Sequence, residues 1–576
     1  MIRFVSHQQL ESLQRRFRKI YGAEADRMTR RFYATLGRYG VGLHPAKPDS
    51  LWSERDVVLI TYGDTVQQDG EAPLATLRKF CTRHLKGAVS TVHVLPFFPW
   101  SSDDGFSVKD YRQVDSALGS WEDIRALSNE FKVMSDLVLN HCSAKGEWFK
   151  EFVAGIQPGA DYFVTAKPDT DTSAVVRPRT SPVLTKFATR DGDRWVWTTF
   201  SADQVDLNWR HPDLFFEFVD ILFLYLSVGI RVLRLDAVAF LWKEIGTDCI
   251  HRPETHEIVK LFRDILEIVA PETILLTETN VPHEENISYF GNEDEAHMVY
   301  QFALPPLLLH GLLNGTAEHL TAWAAGLPDL GPEQSFLNFT SSHDGIGVRP
   351  LTGLLPDTEI DQLLAKVRER GGRVSTKTNS DGTESPYELN ITYASALSEP
   401  GDEALGKRRF LCSQLLALSL KGVPAIYLPC LYGALNDSAG VEKTGRNRSI
   451  NREKWNRTSL EADLAEGGPY HEVFSEYLLI LRRRRSYGAF HPGAGQRIHD
   501  GGSDFFVVER IASDHSIVCI YNFTPQKQTF KGLDRIEGID GINSFAEIIS
   551  GKTLRPRKRG ITLNPYQAVW LVAKKG

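Results

Sequence analysis

Eight short runs of apolar and β-branched residues, separated by longer stretches with helical periodicity, span the sequence between residues 57 and 428. Several runs are continuously apolar rather than alternating, which is typical of parallel strands covered on both faces. Eight parallel strand-helix units predict an α/β fold, a closed (β/α)8 (TIM) barrel. An open doubly wound sheet is the alternative, but no G-x-G-x-x-G turn follows the first run. The predicted strands are 57–62, 92–98, 133–140, 230–238, 274–279, 297–304, 336–341 and 424–428.

Two connections between predicted strands are too long for a simple strand-helix unit. They follow the third and seventh strands and contain the polar stretches AKPDTDTSAVVRPRTSP and GGRVSTKTNSDGTESP. Long connections are usually functional, and both leave from the strand ends at which barrel enzymes build their sites. Alternating apolar residues near the end of the chain predict a C-terminal antiparallel β domain. The predicted division is a helical extension at 1–55, a catalytic barrel at 56–141, 205–344 and 395–490, inserted subdomains at 142–204 and 345–394, and the β domain at 491–576.

The first 40 residues contain nine Lys+Arg and three Asp+Glu residues, in a chain whose net charge is −7. Leu13 and Phe17 keep helical spacing, as do Met28 and Phe32, so we expect two amphipathic helices that pack on the main body. The basic charge has two interpretations, a site for an anionic partner or a solvated helix face. The second is favoured, because charge on exposed helix faces is common.

Composition excludes several other classes of protein. Apolar residues make up 42% and charged residues 24% of the 576 residues, which excludes a largely disordered chain. The negative net charge argues against a general nucleic-acid binder. The six cysteines form no CxxC pair, so neither a structural zinc site nor a disulfide framework is expected. The N-terminal residues lack the apolar core of a signal peptide, and the most apolar segment, 221–232, is too short for a membrane span, so we expect a cytoplasmic protein.

Carboxylates and histidines, with one arginine, end or follow four of the predicted strands. Because the carboxyl ends of parallel barrel strands meet at one rim, we expect these side chains to surround one cavity. Each group alone is more often a structural ion pair or a loop cap, but four independent coincidences would be needed to explain all of them that way. No HExxH or similar metal-ligand spacing is present. The residues are Asp136, Asn140, His141, Arg234, Asp236, Glu278, His343 and Asp344.

This set of side chains matches the requirements of glycosyl transfer. A retaining reaction with an oxocarbenium-like transition state needs one carboxylate below the anomeric carbon and one carboxylic acid beside the leaving oxygen. A third carboxylate can stabilise the developing positive charge. Arg234 precedes Asp236 by two residues, so both share a strand face and the arginine can keep that carboxylate ionised.

The strand-end motifs resemble the conserved regions of the α-amylase superfamily of retaining α-glucosidases. These motifs are NH at 140–141, RLDA at 234–237, TET around Glu278 and SHD at 342–344. Further stretches are similar to the sucrose phosphorylase branch, which contains phosphorylases of sucrose, sucrose 6-phosphate, glucosylglycerate and glucosylglycerol. They are VHVLPFFPWSSDDGF at 92–106, RPR at 177–179, FALPPLLLHGLL at 302–313 and KTGRNRSINR at 443–452.

The resemblance implies a role for each matching residue. Asp236 would be the nucleophile that forms a β-glucosyl-enzyme, Glu278 the general acid/base and Asp344 the stabiliser of the transition state. Arg179 would bind phosphate, and Phe200 would form an aromatic wall. The resemblance implies no metal and no organic cofactor. The residues implied to hold the glucosyl ring are Asp104, His141, Arg234, His343 and Arg448.

The sequence departs from the sucrose phosphorylase pattern where the acceptor is expected to bind. Asn280 replaces a histidine and Phe240 replaces a tyrosine. The acceptor loop around Tyr387 carries Ser385 and Glu388 in place of an aspartate and a glutamine. These changes argue against fructose as the acceptor.

A carboxylate at Glu388 suits a neutral polyol, because it accepts hydrogen bonds from hydroxyls. It would repel glycerate unless Arg373 or Lys377 neutralises it. We therefore expect a glycoside phosphorylase that converts phosphate and 2-O-α-glucosylglycerol into α-glucose 1-phosphate and glycerol.

Several alternatives stay open at this point. They are a phosphorylase of glucosylglycerate, sucrose or sucrose 6-phosphate, and a hydrolase or transglucosidase of the same superfamily. A catalytically silent binding subunit is disfavoured, because the three carboxylates are intact. The expected partners are the glucoside, phosphate and a small polyol, with no nucleic acid and no membrane, and a homodimer is left open.

Overall fold

The computed structural model describes residues 6–39, 47–379, 382–537, 544–556 and 560–574, and its centre is a closed barrel of eight parallel strands. Strands that are consecutive in the barrel pair with each other, and the last pairs with the first. Each overlaps one predicted run, so the predicted barrel is confirmed. Numbered in chain order, the barrel strands are β1 Val58–Thr61, β2 Thr91–Val94, β3 Lys132–Val138, β4 Ile230–Asp236, β5 Ile274–Thr277, β6 Met298–Tyr300, β7 Ser335–Phe339 and β8 Val423–Tyr427.

Most barrel strands are shorter than predicted, because apolar residues continue into buried loops at their carboxyl ends. Leu95, Phe97 and Phe98 follow β2 and are fully buried outside any strand. The strands themselves are apolar on both faces, since one face fills the barrel and the other packs against helices. The main covering helices are Pro73–Leu85, Trp121–Ser128, Pro212–Ser227, Pro253–Val269, Leu304–Asn314, Glu403–Ser419 and His471–Arg484.

Helix Pro212–Ser227 accounts for the most apolar part of the sequence. Proline occupies its first turn, and the Nδ1 atom of the preceding His211 accepts the N–H of Asp213. Its inner face packs on the barrel, and its outer face is covered by the N-terminal helices. No helix among the described residues is both long and apolar enough to cross a membrane.

Both long connections fold over the carboxyl-terminal end of the barrel. The first contains an antiparallel sheet and a strand pair, and the second contains the helix Asp357–Glu369 and a three-stranded sheet. These insertions therefore supply side chains above the rim. Their strands are His141–Ser143, Thr165–Ala166, Leu184–Thr189, Gly192–Trp197 and Gln204–Asp206 in the first, and Ile346–Gly347, Arg373–Thr378 and Glu384–Asn390 in the second.

The C-terminal part is an antiparallel sheet, as predicted. Its six strands pair in an order that inserts the last strand of the chain at the centre. In sheet order they are Gly495–His499, Phe505–Ile511, His515–Asn522, Ala568–Lys574, Phe545–Glu547 and Thr553–Leu554.

The N-terminal extension forms the two predicted helices, α1 His7–Tyr21 and α2 Ala25–Tyr39. Phe17 is fully buried and packs edge-on against Phe215, with 5.5 Å between ring centroids. The extension is therefore part of the packed body rather than a separate arm.

Much of the basic charge in the extension is paired with acids of the barrel helices. The guanidinium of Arg16 contacts Glu257 at 3.3 Å, Asp264 at 2.8 Å and Asp294 at 3.1 Å. The side chain of Arg16 is only 8% exposed, so these ion pairs are protected from solvent. This arrangement supports the structural interpretation of the basic charge.

Replacement Arg16→Met should lower the free energy of unfolding by about 3 kcal/mol, because it leaves three neighbouring carboxylates without their shared cation. Urea unfolding followed by circular dichroism measures the change. The matched control is Arg15→Met on the exposed face of α1, which should cost less than about 0.5 kcal/mol. Equal losses in the two variants would contradict the structural role of Arg16.

Candidate active site

Three carboxylates meet in one cavity at the carboxyl-terminal rim of the barrel, roofed by the two insertions. Asp236 ends β4, Glu278 directly follows β5, and Asp344 lies in the loop after β7. Closure of the barrel thus brings together residues that are distant in sequence. The predicted residues that line the same cavity are His141, Arg179, Phe200, His343, Tyr387, Glu388 and Arg448.

A chain of charged groups crosses three neighbouring strands beneath the cavity. Arg234 on β4 is 2% exposed, and its Nη1 donates to Asp236 Oδ1 at 2.8 Å and also to Asp136 on β3. Asp136 is the cross-strand partner of Arg234, and its other oxygen bonds to His93 Nε2 on β2 at 2.7 Å. Arg234 is therefore a buried partner of Asp236 and is not among the residues that line the cavity, whereas the sequence expectation placed it against the sugar ring.

Burial and neighbouring negative charge raise the pKa of two of the carboxyl groups. Burial raises the pKa of Asp236 to about 8, with Glu278 and Asp136 adding to the effect and Arg234 opposing it. The pKa of Glu278 is also raised, chiefly by burial. The cavity therefore holds a proton near neutral pH that the two groups share.

The geometry favours Glu278 as the carrier of this proton. Arg234 donates directly to Asp236 at 2.8 Å, whereas its nearest nitrogen is 3.8 Å from Glu278 Oε2. Glu278 Oε2 accepts only a weaker backbone hydrogen bond from Ala237, at 3.2 Å. Because the guanidinium stabilises the ionised form of its direct partner, Asp236 is the better carboxylate and Glu278 the better acid.

Asp344 has the opposite electrostatic environment. Burial alone would raise its pKa, but the neighbouring arginines, chiefly Arg448 and Arg452, together outweigh burial and lower it. Arg448 Nη1 lies 2.6 Å from Asp344 Oδ1. The cavity thus contains one carboxylate that stays ionised and two that share a proton, a combination that can support retaining glycosyl transfer.

Glu388 in the acceptor loop is fully engaged by neighbouring donors. Arg448 binds it through two hydrogen bonds, Nε to Oε1 at 3.0 Å and Nη2 to Oε2 at 2.6 Å. The N–H of Gly345 donates to Oε1 at 2.9 Å. The negative charge of Glu388 is therefore compensated by Arg448, and not by Arg373 or Lys377, the cations nearest to it in sequence.

Aromatic rings enclose the part of the cavity next to the carboxylates. His343 stacks on Phe106 with 5.0 Å between ring centroids. Phe200 packs against His141 at 5.1 Å. The guanidinium of Arg179 lies over Phe200 at 5.7 Å from the ring centroid, and it is also 5.6 Å from the ring of Tyr387. Stacked and edge-on rings of this kind form the walls of sugar sites, because the C–H faces of a pyranose are apolar.

The structure brings Asp103 into the cavity lining rather than Asp104. Asp104 pairs with Arg446 at 3.1 Å and with Arg452 at 2.5 Å, whereas Asp103 accepts a hydrogen bond from Gln204 at 3.1 Å beside the cavity. Sequence reasoning chose the wrong side chain of the pair for this position, because two adjacent aspartates look alike in a motif. The one sequence feature that could have helped is Gly105, because a glycine here indicates a turn that can reverse the direction of neighbouring side chains.

An aspartate in the first insertion holds this loop in place. Asp103 and Asp104 both have left-handed backbone conformations, with φ of 55° and 49°. Asp203 Oδ2 accepts hydrogen bonds from Ser101 at 2.5 Å and from Ser107 at 2.9 Å, on either side of the two residues. Asp203 thus secures a strained turn at the site, and nothing in the local sequence pointed to it.

Comparisons with known proteins agree with this geometry. Residues 85–318 match the family described as the alpha amylase catalytic domain. The chain is 45% identical to the glucosylglycerate phosphorylase of Spirochaeta thermophila, over 96% of this chain and 97% of that protein. The chain belongs to the glycoside phosphorylases of the α-amylase superfamily.

Further relatives carry the same class of name. The glucosylglycerate phosphorylase of Escherichia coli is 45% identical over 90% of this chain and 92% of that protein. The glucosylglycerol phosphorylase of Marinobacter adhaerens is 28% identical over 75% of this chain and 88% of that protein. Among solved structures, the sucrose 6F-phosphate phosphorylase from Thermoanaerobacter thermosaccharolyticum aligns with a TM-score of 0.72 and 25% identity, over 82% of this chain and 94% of that chain. The predicted superfamily and the predicted class, an α-glucoside phosphorylase, are confirmed.

The shared proton predicts an alkaline limit to activity. We expect kcat/KM for the α-glucoside to fall at alkaline pH, because the pKa of Glu278 is raised by burial and its deprotonation removes the acid that protonates the leaving oxygen. In a double displacement this ratio reports only the first half-reaction, so the ionisation of phosphate does not affect it. Initial rates at varied pH, with circular dichroism to verify folding, provide the test. A profile that stays level up to about pH 10 would contradict the shared proton.

Proposed function

We propose that the protein is a glucosylglycerate phosphorylase, which converts glucosylglycerate and phosphate into α-glucose 1-phosphate and glycerate. The observation that carries this proposal is the 45% identity, over almost the whole chain, to relatives with that name. The glucosylglycerol phosphorylase is only 28% identical over a shorter segment. Glycerate thus replaces glycerol, the acceptor expected from the sequence.

The acceptor loop supports an anionic acceptor in this proposal. The argument for glycerol required Glu388 to be free to bind hydroxyls, but its carboxylate is held by Arg448 and by the N–H of Gly345. A carboxylate that is compensated in this way repels an anionic acceptor much less than a free one does. The charge that argued against glycerate is therefore removed.

The mechanism follows from the two raised pKa values. In the first step, Asp236 Oδ attacks the anomeric carbon while Glu278 gives its proton to the glycosidic oxygen. The bond between the anomeric carbon and this oxygen breaks, glycerate leaves, and a β-glucosyl ester of Asp236 forms. In the second step, a phosphate oxygen attacks the same carbon, ionised Glu278 accepts the phosphate proton, and the ester bond breaks. Two inversions return the α configuration.

The remaining lining residues have supporting roles in this mechanism. Asp344, held ionised by Arg448, stabilises positive charge at the anomeric carbon. His141 and His343 bind the glucosyl ring together with Asp103, and Phe200 forms a wall of the subsite. Phosphate binds at Arg179, because a guanidinium matches phosphate geometry.

Glu278→Gln should lower kcat for glucosylglycerate phosphorolysis by about two to four orders of magnitude, because general acid catalysis is lost. The loss with α-glucosyl fluoride should be much smaller, since fluoride leaves with little protonation. Steady-state rates on the two donors give the comparison. The exposed neighbour Glu284→Gln serves as the matched control with near-normal rates on both. An equal loss on both donors would remove Glu278 from the role of acid.

The proposed function is tested by the synthetic reaction. Glucose 1-phosphate is supplied with glycerate, glycerol, fructose or fructose 6-phosphate, and phosphate release is followed. We expect the highest kcat/KM for glycerate, because the compensated acceptor loop accepts an anion. Faster release with glycerol or with either sugar would overturn the choice of glycerate. In the forward direction, glucose formation independent of phosphate would indicate a hydrolase instead.

A further inference from the structure

A third arginine, besides Arg179 and Arg448, faces the active-site cavity. Arg349 follows the strand Ile346–Gly347 of the second insertion and lines the cavity together with Glu278 and Arg179. Its side chain is 22% exposed, so the guanidinium is accessible from the cavity but largely protected from bulk solvent. No role in the proposed mechanism requires this cation.

The positive charge of Arg349 is only weakly compensated by the protein. Within the described residues, the one carboxylate in ion-pair range is Glu285, at 3.7 Å from Nη2, which is too long for a hydrogen bond. Glu285 is already engaged by His251 Nε2 at 3.0 Å. Arg349 therefore retains most of its capacity to bind an anion.

A second cation lies close to Arg349. Burial lowers the pKa of Lys377, and the positive charge of Arg349 lowers it further. The ammonium of Lys377 donates to the side-chain oxygen of Asn379 at 3.0 Å, which is a neutral partner. Two neighbouring cations with little compensating charge favour a bound anion between or beside them.

A polar atom without a partner lies in the same wall. Asn280 lines the cavity, and its Oδ1 is buried with no hydrogen-bond partner. The side chain packs on the backbone of Gly347, where an added Cβ would lie 2.7 Å from Asn280 Oδ1. An amide oxygen that is buried without a donor costs free energy, so it suits a ligand that brings a hydroxyl.

We propose that Arg349 and Asn280 form the subsite that recognises the acceptor, with Arg349 binding its carboxylate and Asn280 Oδ1 accepting a hydrogen bond from a hydroxyl. This inference rests on the proposed function. It assigns the chemistry of a 2-hydroxy- or 3-hydroxycarboxylate to this wall of the cavity. Lys377 adds positive potential near Arg349.

Arg179 and Arg349 can serve different anions because their charges act on different groups of the protein. The charge of Arg179 lowers the pKa of Asp344, so Arg179 is close to the anomeric carbon that phosphate must attack. The charge of Arg349 acts on His251, a residue outside the cavity lining. The carboxylate of the acceptor is separated by a carbon atom from the oxygen that is linked to glucose, so it can reach an arginine other than the one that binds phosphate.

The test compares glycerate with glycerol in the synthetic reaction from glucose 1-phosphate, since the two differ only in the carboxylate. For Arg349→Gln, the ratio of kcat/KM for glycerate to that for glycerol should fall by about 10- to 100-fold, the value of a charge-assisted hydrogen bond. The KM for phosphate in the forward reaction should change by less than about threefold, because Arg179 holds phosphate. Arg349→Lys should retain part of the preference.

Asn280→Asp provides a second, nearly isosteric variant. A negative charge next to the proposed carboxylate position should lower the rate with glycerate by about 10-fold or more and leave glycerol less affected. This selective loss would not follow from a folding defect, which would reduce both acceptors equally. Equal losses for the two acceptors would contradict the placement of the carboxylate at Arg349, in the cavity wall that contains Asn280.

Two control variants separate recognition from structural effects. Arg373→Gln removes an exposed cation of the same insertion that does not line the cavity, and it should leave the ratio unchanged. Glu285→Gln removes the ion-pair partner of Arg349 and should maintain or raise the preference for glycerate. If Glu285→Gln instead reproduces the loss seen in Arg349→Gln, then Arg349 acts through its pairing with Glu285, and the subsite is refuted.

The wild-type enzyme distinguishes failure of this inference from failure of the proposed function. If the wild type releases phosphate faster with glycerol or fructose than with glycerate, then the proposed function is wrong and the subsite falls with it. If the wild type prefers glycerate and Arg349→Gln keeps that preference, then the function stands and the subsite alone is overturned.

Discussion

The guanidinium of Arg234 is a fixed positive charge beneath the open end of the barrel, and the candidate site is arranged around it. A buried arginine is stable only when carboxylates surround it, and buried carboxylates take up protons unless a cation is near. Asp136 and Asp236, on adjacent strands, supply the carboxylates that Arg234 needs, and Arg234 supplies the cation that keeps them ionised. Glu278 lies just outside hydrogen-bond reach of the same cation. One ion-pair chain therefore sets both the positions and the unequal protonation of the carboxyl groups of Asp236 and Glu278.

The fold was predictable because it depends on periodicity, which a single sequence displays. Runs of apolar residues at eight positions are sufficient to indicate parallel strands covered on both faces. The lengths of the strands were not predictable, since Leu95, Phe97 and Phe98 are as apolar as a strand but lie in a buried loop. Burial makes strands and buried loops equally apolar, so composition alone cannot distinguish a strand from such a loop.

The meeting of Asp236, Glu278 and Asp344 in one cavity was also predictable, because the strand ends fix where their backbone lies. The pairing of side chains in the loops could not be predicted from the sequence. Arg448 and Glu388 are 60 residues apart and belong to different elements, so only the folded chain shows that one compensates the other. Reasoning from sequence considered the cations closest along the chain, Arg373 and Lys377, and the choice of glycerol followed from that restriction. The same limit explains why Asp104 was chosen for a position that Asp103 occupies in the cavity lining.

Charge balance in the cavity also gives a physical reason for an anionic acceptor. In a double displacement, the leaving alcohol and phosphate occupy the same side of the glucosyl-enzyme in turn. Phosphate always requires positive charge there, and Arg448 cannot supply it because Asp344 and Glu388 share its guanidinium. In the proposed arrangement Arg179 supplies this charge for phosphate, and Arg349 supplies a second charge for the acceptor; neither has a close carboxylate partner within the described part of the chain. A neutral acceptor would leave the charge of Arg349 without a close partner, whereas an anionic acceptor such as the proposed glycerate would compensate it.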